Sequence, residues 1–349
     1  MPKKDIIVIG ASAGGIEALR LIVRDLPKDF AASIFVVLHT SPHSPGILDQ
    51  ILARAGSLPA TNATDKEQIQ PGRIYVAPPD HHLLIEPGIV RVTKGPKENR
   101  FRPAVDPLFR SAAQTYGARV VGLILTGGLD DGTAGLWAVK QLGGTAIVQD
   151  PEEAIAPSMP ESARRYVKID YCLPLAEMAA LLVRLTGMAA EDVEGIPGEE
   201  GAPKVLDEME IEIKIAKENQ AIGVGIRNLG EPSSYACPEC HGVLLQLKEA
   251  DRIRFRCHTG HAYSADSLLA DITEKIDESL WTSIRSIEEG VMLLHQLAQH
   301  MRNHADNDNA EQFLKKASEA QHRADLVRQA VMDHENLSEA KVEQHTQES

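Results

Sequence analysis

Ile6-Ile7-Val8-Ile9-Gly10-Ala11-Ser12-Ala13-Gly14-Gly15 decides how this chain is read. An unbroken β-branched run marks a strand buried on both faces, as in a parallel sheet. The glycines that follow permit a tight turn. An amphipathic helix comes next, with Ile16, Leu19, Leu21, Ile22 and Leu26 on its apolar side and Pro27 at its end. Two chemistries use such a strand–turn–helix. Residues 10, 12 and 14 match G-x-S-x-G, the elbow that lifts a serine hydroxyl above the carboxyl edge of a sheet. Residues 10, 12 and 15 match a dinucleotide fingerprint in which serine replaces the middle glycine.

Outward from this turn the alternation continues. Ile34 to Leu38 is a second buried strand, followed by a helix around Ile47 to Ala55 and a strand over Gly72 to Ala77. His82 to Glu86 and Ile89 to Thr93, parted by Pro87-Gly88, read as a hairpin. Helix Pro107 to Tyr116, strand Val120 to Leu125, helix Ala134 to Leu142 and strand Thr145 to Gln149 complete the series. The expected fold is a doubly wound, mostly parallel α/β sheet over residues 1–186.

The second strand separates the two chemistries. A dinucleotide fold wants Asp or Glu there to hold the ribose, and a serine side chain intrudes where the pyrophosphate needs close backbone approach. Here the strand ends in His39, which can act as a base. Serine is a poor nucleophile until a base lies within reach, and the base needs a carboxylate to fix its tautomer. Asp131, in the loop after Val120 to Leu125, arrives at the same sheet edge. Ser12, His39 and Asp131 therefore form a candidate triad. Each has a plainer reading: an incidental turn serine, a core histidine, a turn-forming aspartate. His43, His81 and His82 are rival bases and Asp130 a rival acid.

Residues 187–234 mix Glu191-Asp192, Glu199-Glu200 and Asp207-Glu208 with Gly and Pro and read as an acidic linker, with Asp207 to Ile215 as a short strand. Residues 235–263 hold Cys237-Pro238-Glu239-Cys240 and Cys257-His258-Thr259-Gly260-His261. This spacing suits a zinc ribbon with Cys237, Cys240, Cys257 and His261 as ligands. His258, adjacent to Cys257, would strain a shared site. About 30 residues cannot bury enough to fold without such a staple, and a full ligand set makes the zinc structural. Residues 264–336 repeat apolar positions at helical spacing and should form a helical hairpin, self-packed over the zinc module, docking a receptor's helical bundle or serving self-association; 337–349 is a polar tail. Cys172 is expected in the core.

Bulk properties exclude some classes. A net charge of -14 opposes binding to nucleic acid. No apolar run reaches the roughly 20 residues that cross a bilayer, and the N-terminus lacks a signal-peptide pattern. Four cysteines, three of them clustered, argue against a disulfide framework. The expected compartment is the cytoplasm.

Ile7 to Gly15, Val36 to His39, Arg73 to Asp80, Arg102 to Phe109 and Leu125 to Gly132 resemble, in order, the blocks of the CheB family of chemotaxis methylesterases. The resemblance covers residues 5–186. It implies hydrolysis of glutamate γ-methyl esters on a methyl-accepting receptor, with glutamine deamidation also credited to the family, and no catalytic cofactor. By position it makes Ser12 the nucleophile, His39 the base and Asp131, directly before a glycine, the orienting acid. Oxyanion donors are expected from the Ala13 amide and the Gly127–Gly128 turn. Family members commonly carry Met-Gly where this chain has Gly128-Leu129. They also usually begin with a phosphorylatable receiver domain, whereas this sequence opens on the first strand. Its zinc block resembles extensions of receiver-less members, so the expected control is constitutive activity, gating by the C-terminal half, or a separate partner. A second functional class is a non-catalytic signalling adaptor that binds through zinc module and hairpin.

Overall fold

β1 (Ile6–Ala11), buried along its whole length, forms the spine of the computed structural model, which describes residues 3–190, 202–218, 222–247 and 252–332. After it come α1 (Gly15–Arg24), β2 (Ser33–Leu38), α2 (Leu48–Ala55), β3 (Ala60–Asn62) and β4 (Ile74–Val76). The hairpin β5 (His82–Glu86) and β6 (Ile89–Thr93) stands where the sequence places it. α3 (Val105–Tyr116), β7 (Val120–Ile124), α4 (Thr133–Gln141), β8 (Thr145–Gln149), α5 (Ser158–Tyr166), β9 (Tyr171–Leu173) and α6 (Leu175–Gly187) close the α/β region. Its seven strands are all parallel, in the order β3-β4-β2-β1-β7-β8-β9.

Strand periodicity divides the core in two. Ile7, Ile9 and Val36 face Leu19 of α1, Leu52 of α2 and Leu182 of α6. Val8, Phe35 and Val37 face Leu108 and Phe109 of α3, Leu136 of α4 and Leu83 of the hairpin. Side chains of this size contribute about 1.5–3 kcal/mol each when fully buried. Two positions depart from expectation. The buried stripe of α1 is Ala18, Leu19, Ile22 and Val23, leaving Ile16 and Leu21 exposed. Cys172 is exposed, because β9 is an edge strand whose Tyr171 and Leu173 pack inward while the residue between points away.

The stretch read as linker is more ordered than expected. Ala202–Glu218 is a helix, α7, not a short strand at 207–215. Met209, Ile213 and Ala216 recur at helical steps and join the core beside α3, and Thr93 Oγ1 donates to Ala216 O at 2.7 Å. The decisive residue is Glu212. Instead of facing solvent it accepts from Arg254 and Arg256, each at 2.7 Å, with Arg110 Nε at 3.7 Å. Residues 191–201 and the tail 337–349 lie outside the described residues.

β10 (Gly230–Ala236), β11 (Val243–Leu247), β12 (Arg254–Cys257) and β13 (Ala262–Ser264) make an antiparallel four-stranded sheet. It starts a few residues before the expected 235. α8 (Ala265–Asn303) and α9 (Asn307–Met332) follow. Buried Ile284, Val291 and Ala298 on α8 and Ala310, Ala317 and Ala324 on α9 recur every seven residues, the repeat of paired helices, and Arg328 pairs with Glu288. The chain divides into two compact bodies, one ending at Ser267 and one beginning at Leu268.

Burial alone would raise the Glu212 carboxyl, but the guanidinium groups of Arg110, Arg254 and Arg256 outweigh it and hold the carboxyl well below the usual range. Removing the anion strands buried cations, so Glu212→Ala should destabilise the first body by roughly 3–5 kcal/mol. Chemical denaturation checks this; a midpoint equal to that of the wild type contradicts it.

Candidate active site

Strand order places the site. β1 connects outward to β2 on one side, while β7 lies on its other side, so the crevice beyond β1 and β7 is the point where such sheets bind ligands. Ser12 is the first residue past β1; its amide donates to Thr126 O beyond β7 at 2.9 Å. His39 is the first past β2 and donates to Ala11 O at 3.1 Å. The turn needs its glycines. Gly14 sits at φ 77°, in the left-handed region. At Gly127 a Cβ would lie 2.8 Å from Ser12 Cβ and 2.0 Å from Met159 Sδ. Thr126 Oγ1 donates to Ala13 O and accepts from the Ala156 amide, both at 2.9 Å, and so ties the turn to the loop before α5.

Ser12 and His39 line one cleft of about 280 Å³, with Lys97, Arg100, Phe101 and Arg102. The His39 imidazole is held on two sides. Phe101 stacks on it with ring centroids 3.8 Å apart and planes 7° from parallel. Nε2 lies 2.7 Å from Asp131 Oδ2, and Nδ1 is buried with no hydrogen-bond partner among the described residues. Asp131 also accepts from the Val105 amide at 2.7 Å, Asp106 and Gly132 amides at 3.2 and 2.9 Å, and Asn99 Nδ2 at 2.9 Å. Burial disfavours its charge, but His39 and these donors prevail and keep the carboxyl below the usual range.

The rival residues sit elsewhere. His82 is buried, with Nε2 against Pro96 O at 2.8 Å and Nδ1 accepting from the Ala104 amide at 3.3 Å, the contacts of a structural histidine. His81 Nδ1 lies 2.9 Å from Pro79 O, and His43 is exposed. Asp130 meets the Ser264 hydroxyl at 2.6 Å rather than His39. Among the expected oxyanion donors, Gly127 needs correcting: its amide donates to Ala156 O at 2.8 Å and is spent on the loop. The Ala13 and Gly128 amides have no acceptor among the described residues.

Sequence reasoning missed the segment Lys97–Phe101. It lies just before the block beginning at Arg102, yet nothing in its composition marks Asn99 as a partner of Asp131 or Phe101 as a lid on His39. It also missed Asp106 as an acid beside the site, and the raised carboxyl of Asp130, which it names only as a rival to Asp131. Burial, then the charge of Asp131, pushes Asp106 up to about 6, and burial pushes Asp130 up to about 7.

Cys237, Cys240, Cys257 and His261 bring four donor atoms within 4.8 Å of one another, where they could hold a metal ion. His261 Nδ1 is 3.6 Å from Cys237 Sγ and 3.5 Å from Cys257 Sγ, and Cys240 and Cys257 sulfurs are 3.6 Å apart. A tetrahedral zinc with its usual bond lengths gives donor separations of about 3.5–3.8 Å; these three pairs match it, and the whole set lies within 4.8 Å. His258 is outside the cluster; its ring fills the space beside Gly242.

Fold and site define an α/β protein with a serine on a strand-to-helix turn, sharing a cleft with a carboxylate-bound histidine. Residues 7–182 match the model of the CheB methylesterase family, and the chain belongs to that family. It is 42% identical over 180 residues, 51% of this chain and 93% of the relative, to a putative protein-glutamate methylesterase/protein-glutamine glutaminase of Leptospira interrogans. It is 38% identical over 184 residues to a protein-glutamate methylesterase/protein-glutamine glutaminase of Thermotoga maritima, covering 52% of this chain and 54% of that one. A relative from Anaeromyxobacter dehalogenans is 37% identical, with 52% and 53% covered, so the match spans about half the length of these two. The crystal structure of the Thermotoga maritima CheB methylesterase catalytic domain aligns at 38% identity and a TM-score of 0.49, covering 52% of this chain and 98% of that one.

The raised Asp130 carboxyl gives a pH test. An unfolded aspartate titrates near 3.9, so between about 4 and about 7 the folded chain keeps a proton that the unfolded chain has lost. Stability from this group therefore falls as pH rises through that window. Asp130→Asn should gain melting temperature relative to wild type from pH 4 to 7 and hold a constant advantage above it. A difference that is flat, or of opposite slope, contradicts the assignment.

Proposed function

We propose that this chain is a serine esterase that hydrolyses glutamate γ-methyl esters on a methyl-accepting receptor, with Ser12 as nucleophile, His39 as base and Asp131 as orienting acid. The observation that carries the reading is the 2.7 Å contact of His39 Nε2 with Asp131, which leaves Nδ1 unpaired beside the cleft that Ser12 lines. With Nε2–H donating to the carboxylate, the lone pair is on Nδ1, the nitrogen available to take the serine proton. The hydroxyl oxygen adds to the ester carbonyl as its proton passes to His39. The Ala13 and Gly128 amides, which have no acceptor among the described residues, are the proposed donors to the oxyanion. Collapse expels methoxide, which takes the proton and leaves as methanol. Water, deprotonated by the same imidazole, then cleaves the acyl-serine and frees the glutamate. A glutamine side chain passes through the same acyl-enzyme with ammonia as leaving group, the second activity in the relatives' names. The ester-bearing side chain would enter the cleft lined by Ser12 and His39 from solvent.

For the Cys/His cluster the proposed occupant is a structural zinc. Four protein donors close the tetrahedron and leave no position for substrate or water. Thr259 Oγ1, 2.9 Å from Cys257 Sγ and 3.2 Å from Cys240 Sγ, supports the thiolates. No helix among the described residues is long and apolar enough to cross a membrane, which suits a protein acting in the cytoplasm on a receptor's inner domain.

Ser12→Ala, assayed by methanol release from a methylated receptor fragment, should lose roughly 10⁴-fold or more in kcat; rates equal to wild type would leave only the adaptor reading. Elemental analysis of purified chain should find one zinc per molecule, abolished in Cys240→Ser. Folded wild-type protein free of metal would overturn the zinc assignment.

A further inference from the structure

The segment Lys97–Phe101 is gripped by the Cys/His module along its length. Lys97 Nζ meets Glu239, between the first two cysteines, at 2.6 Å, and Lys97 O accepts from the Ala262 amide at 3.2 Å. Glu98 accepts from Arg256, the residue before Cys257, at 3.0 Å, and from Arg110 of α3. The Asn99 amide donates to Ala262 O, the residue after His261, at 2.8 Å. Phe101, at the end of the same segment, stacks on His39.

Asn99 is the residue through which this grip reaches the reacting groups. Its side-chain NH₂ donates to Asp131 at 2.9 Å and Asp106 at 3.0 Å. Its side-chain oxygen accepts from the Ser264 amide at 3.1 Å and from Ser267 Oγ at 3.3 Å, both at the corner where β13 enters α8. Every hydrogen-bonding group of the amide is therefore used, one end on the catalytic carboxylate and the other on the module. The side chain is buried and the backbone sits at φ 48°, in the left-handed region. A conformation of that kind persists only where its surroundings hold it.

We infer that Asn99 is a positioning residue for the triad and that the Cys/His module completes the active site by holding it. The inference rests on the esterase reading. Asp131 keeps its orientation because Asn99 donates to the oxygen that His39 does not occupy, and Asn99 keeps its rotamer because Ser264 and Ser267 fix the other end of its amide. The module is thereby a part of the catalytic unit that touches neither substrate nor reacting atoms.

The full-length chain, assayed on methylated receptor fragment and normalised by titration with a serine-directed phosphonate, provides the test. Asn99→Ala should lower kcat roughly ten- to hundredfold with KM little changed, the usual scale for displaced supporting groups. Asn99→Asp keeps the size but sets a third carboxylate against Asp131 and Asp106. Added negative charge favours protonated neighbours, so the acid limb of kcat/KM should move to higher pH. A loss of folded protein alone would not move it. Ser267→Ala should lower kcat several-fold alone and add nothing to Asn99→Ala, since both break one path. Unchanged kcat and acid limb in the Asn99 variants, or additive losses in the double variant, overturn the inference. Should Ser12→Ala retain the rate, the esterase reading itself has failed; with Ser12→Ala inactive and Asn99→Asp like wild type, only the role of Asn99 has.

Discussion

The carboxylate of Asp131 is the constraint around which the site is built. Its two oxygens receive hydrogen bonds from four pieces of chain: the end of β2 through His39, the first turn of α3 through Val105 and Asp106, its own turn through Gly132, and the strap Lys97–Phe101, which precedes α3, through Asn99. An ionised carboxylate at this depth is tolerable only with such a complement, because burial without partners costs far more than the fold can spare. The amide donors of α3 stand at a helix N-terminus, where an anion is favoured by the aligned peptide dipoles. The neighbouring acids behave as this demands. Asp106 and Asp130 are pushed upward and Asp131 is held down, so as pH falls the residue that faces the imidazole is the last of the three to lose its charge.

A second set of buried charges determines which pieces of chain can assemble around that carboxylate. Glu98 and Glu212 share Arg256, Arg110 lies against both, and Arg254 completes the cluster. The five residues come from the strap, α3, α7 and β12. Networks of this kind add little net stability over an apolar core of equal volume, since desolvation consumes most of the attraction. Their consequence is register: a helix or strand docked one residue out of place would bury an unpaired charge. That directional demand explains why an acidic, weakly apolar helix such as α7 packs in a fixed position.

What could be read in the sequence was what depends on local pattern. The buried runs of β1, β2 and β7, the hairpin β5–β6, and the positions of Ser12 and His39 at strand ends follow from periodicity and turn chemistry, and the four donors of the Cys/His cluster follow from spacing. The hidden features are those fixed by distant contacts. Glu212 in a charged stretch reads as solvated, yet its partners are more than 40 residues further on. Asn99 reads as loop, yet it is bound to Ser264, 165 residues away. In Gly127 the missed fact was smaller: its amide is turned to Ala156, a pairing that no turn motif announces. Ile16 and Leu21 misled because apolar composition marks a helix face only when the face has something to cover.

The three candidate groups do not need equal support. Ser12 and His39 stand one residue beyond β1 and β2, and the sheet ladder continues into their backbones, so the scaffold alone fixes them. Asp131 lies seven residues past the end of β7, in a loop whose glycines give no rigidity of their own. Its geometry has to come from lateral contacts. Without Asn99, the oxygen away from His39 would keep only the Asp106 and Gly132 amides, at 3.2 and 2.9 Å, which leaves the carboxylate some freedom to shift beneath the imidazole. The contact from Asn99 closes that freedom, and in this chain the residue making it is anchored outside the α/β region. The member of the proposed triad that the sheet ladder does not reach is thus the one whose side-chain contacts lead, through Asn99, to the Cys/His module.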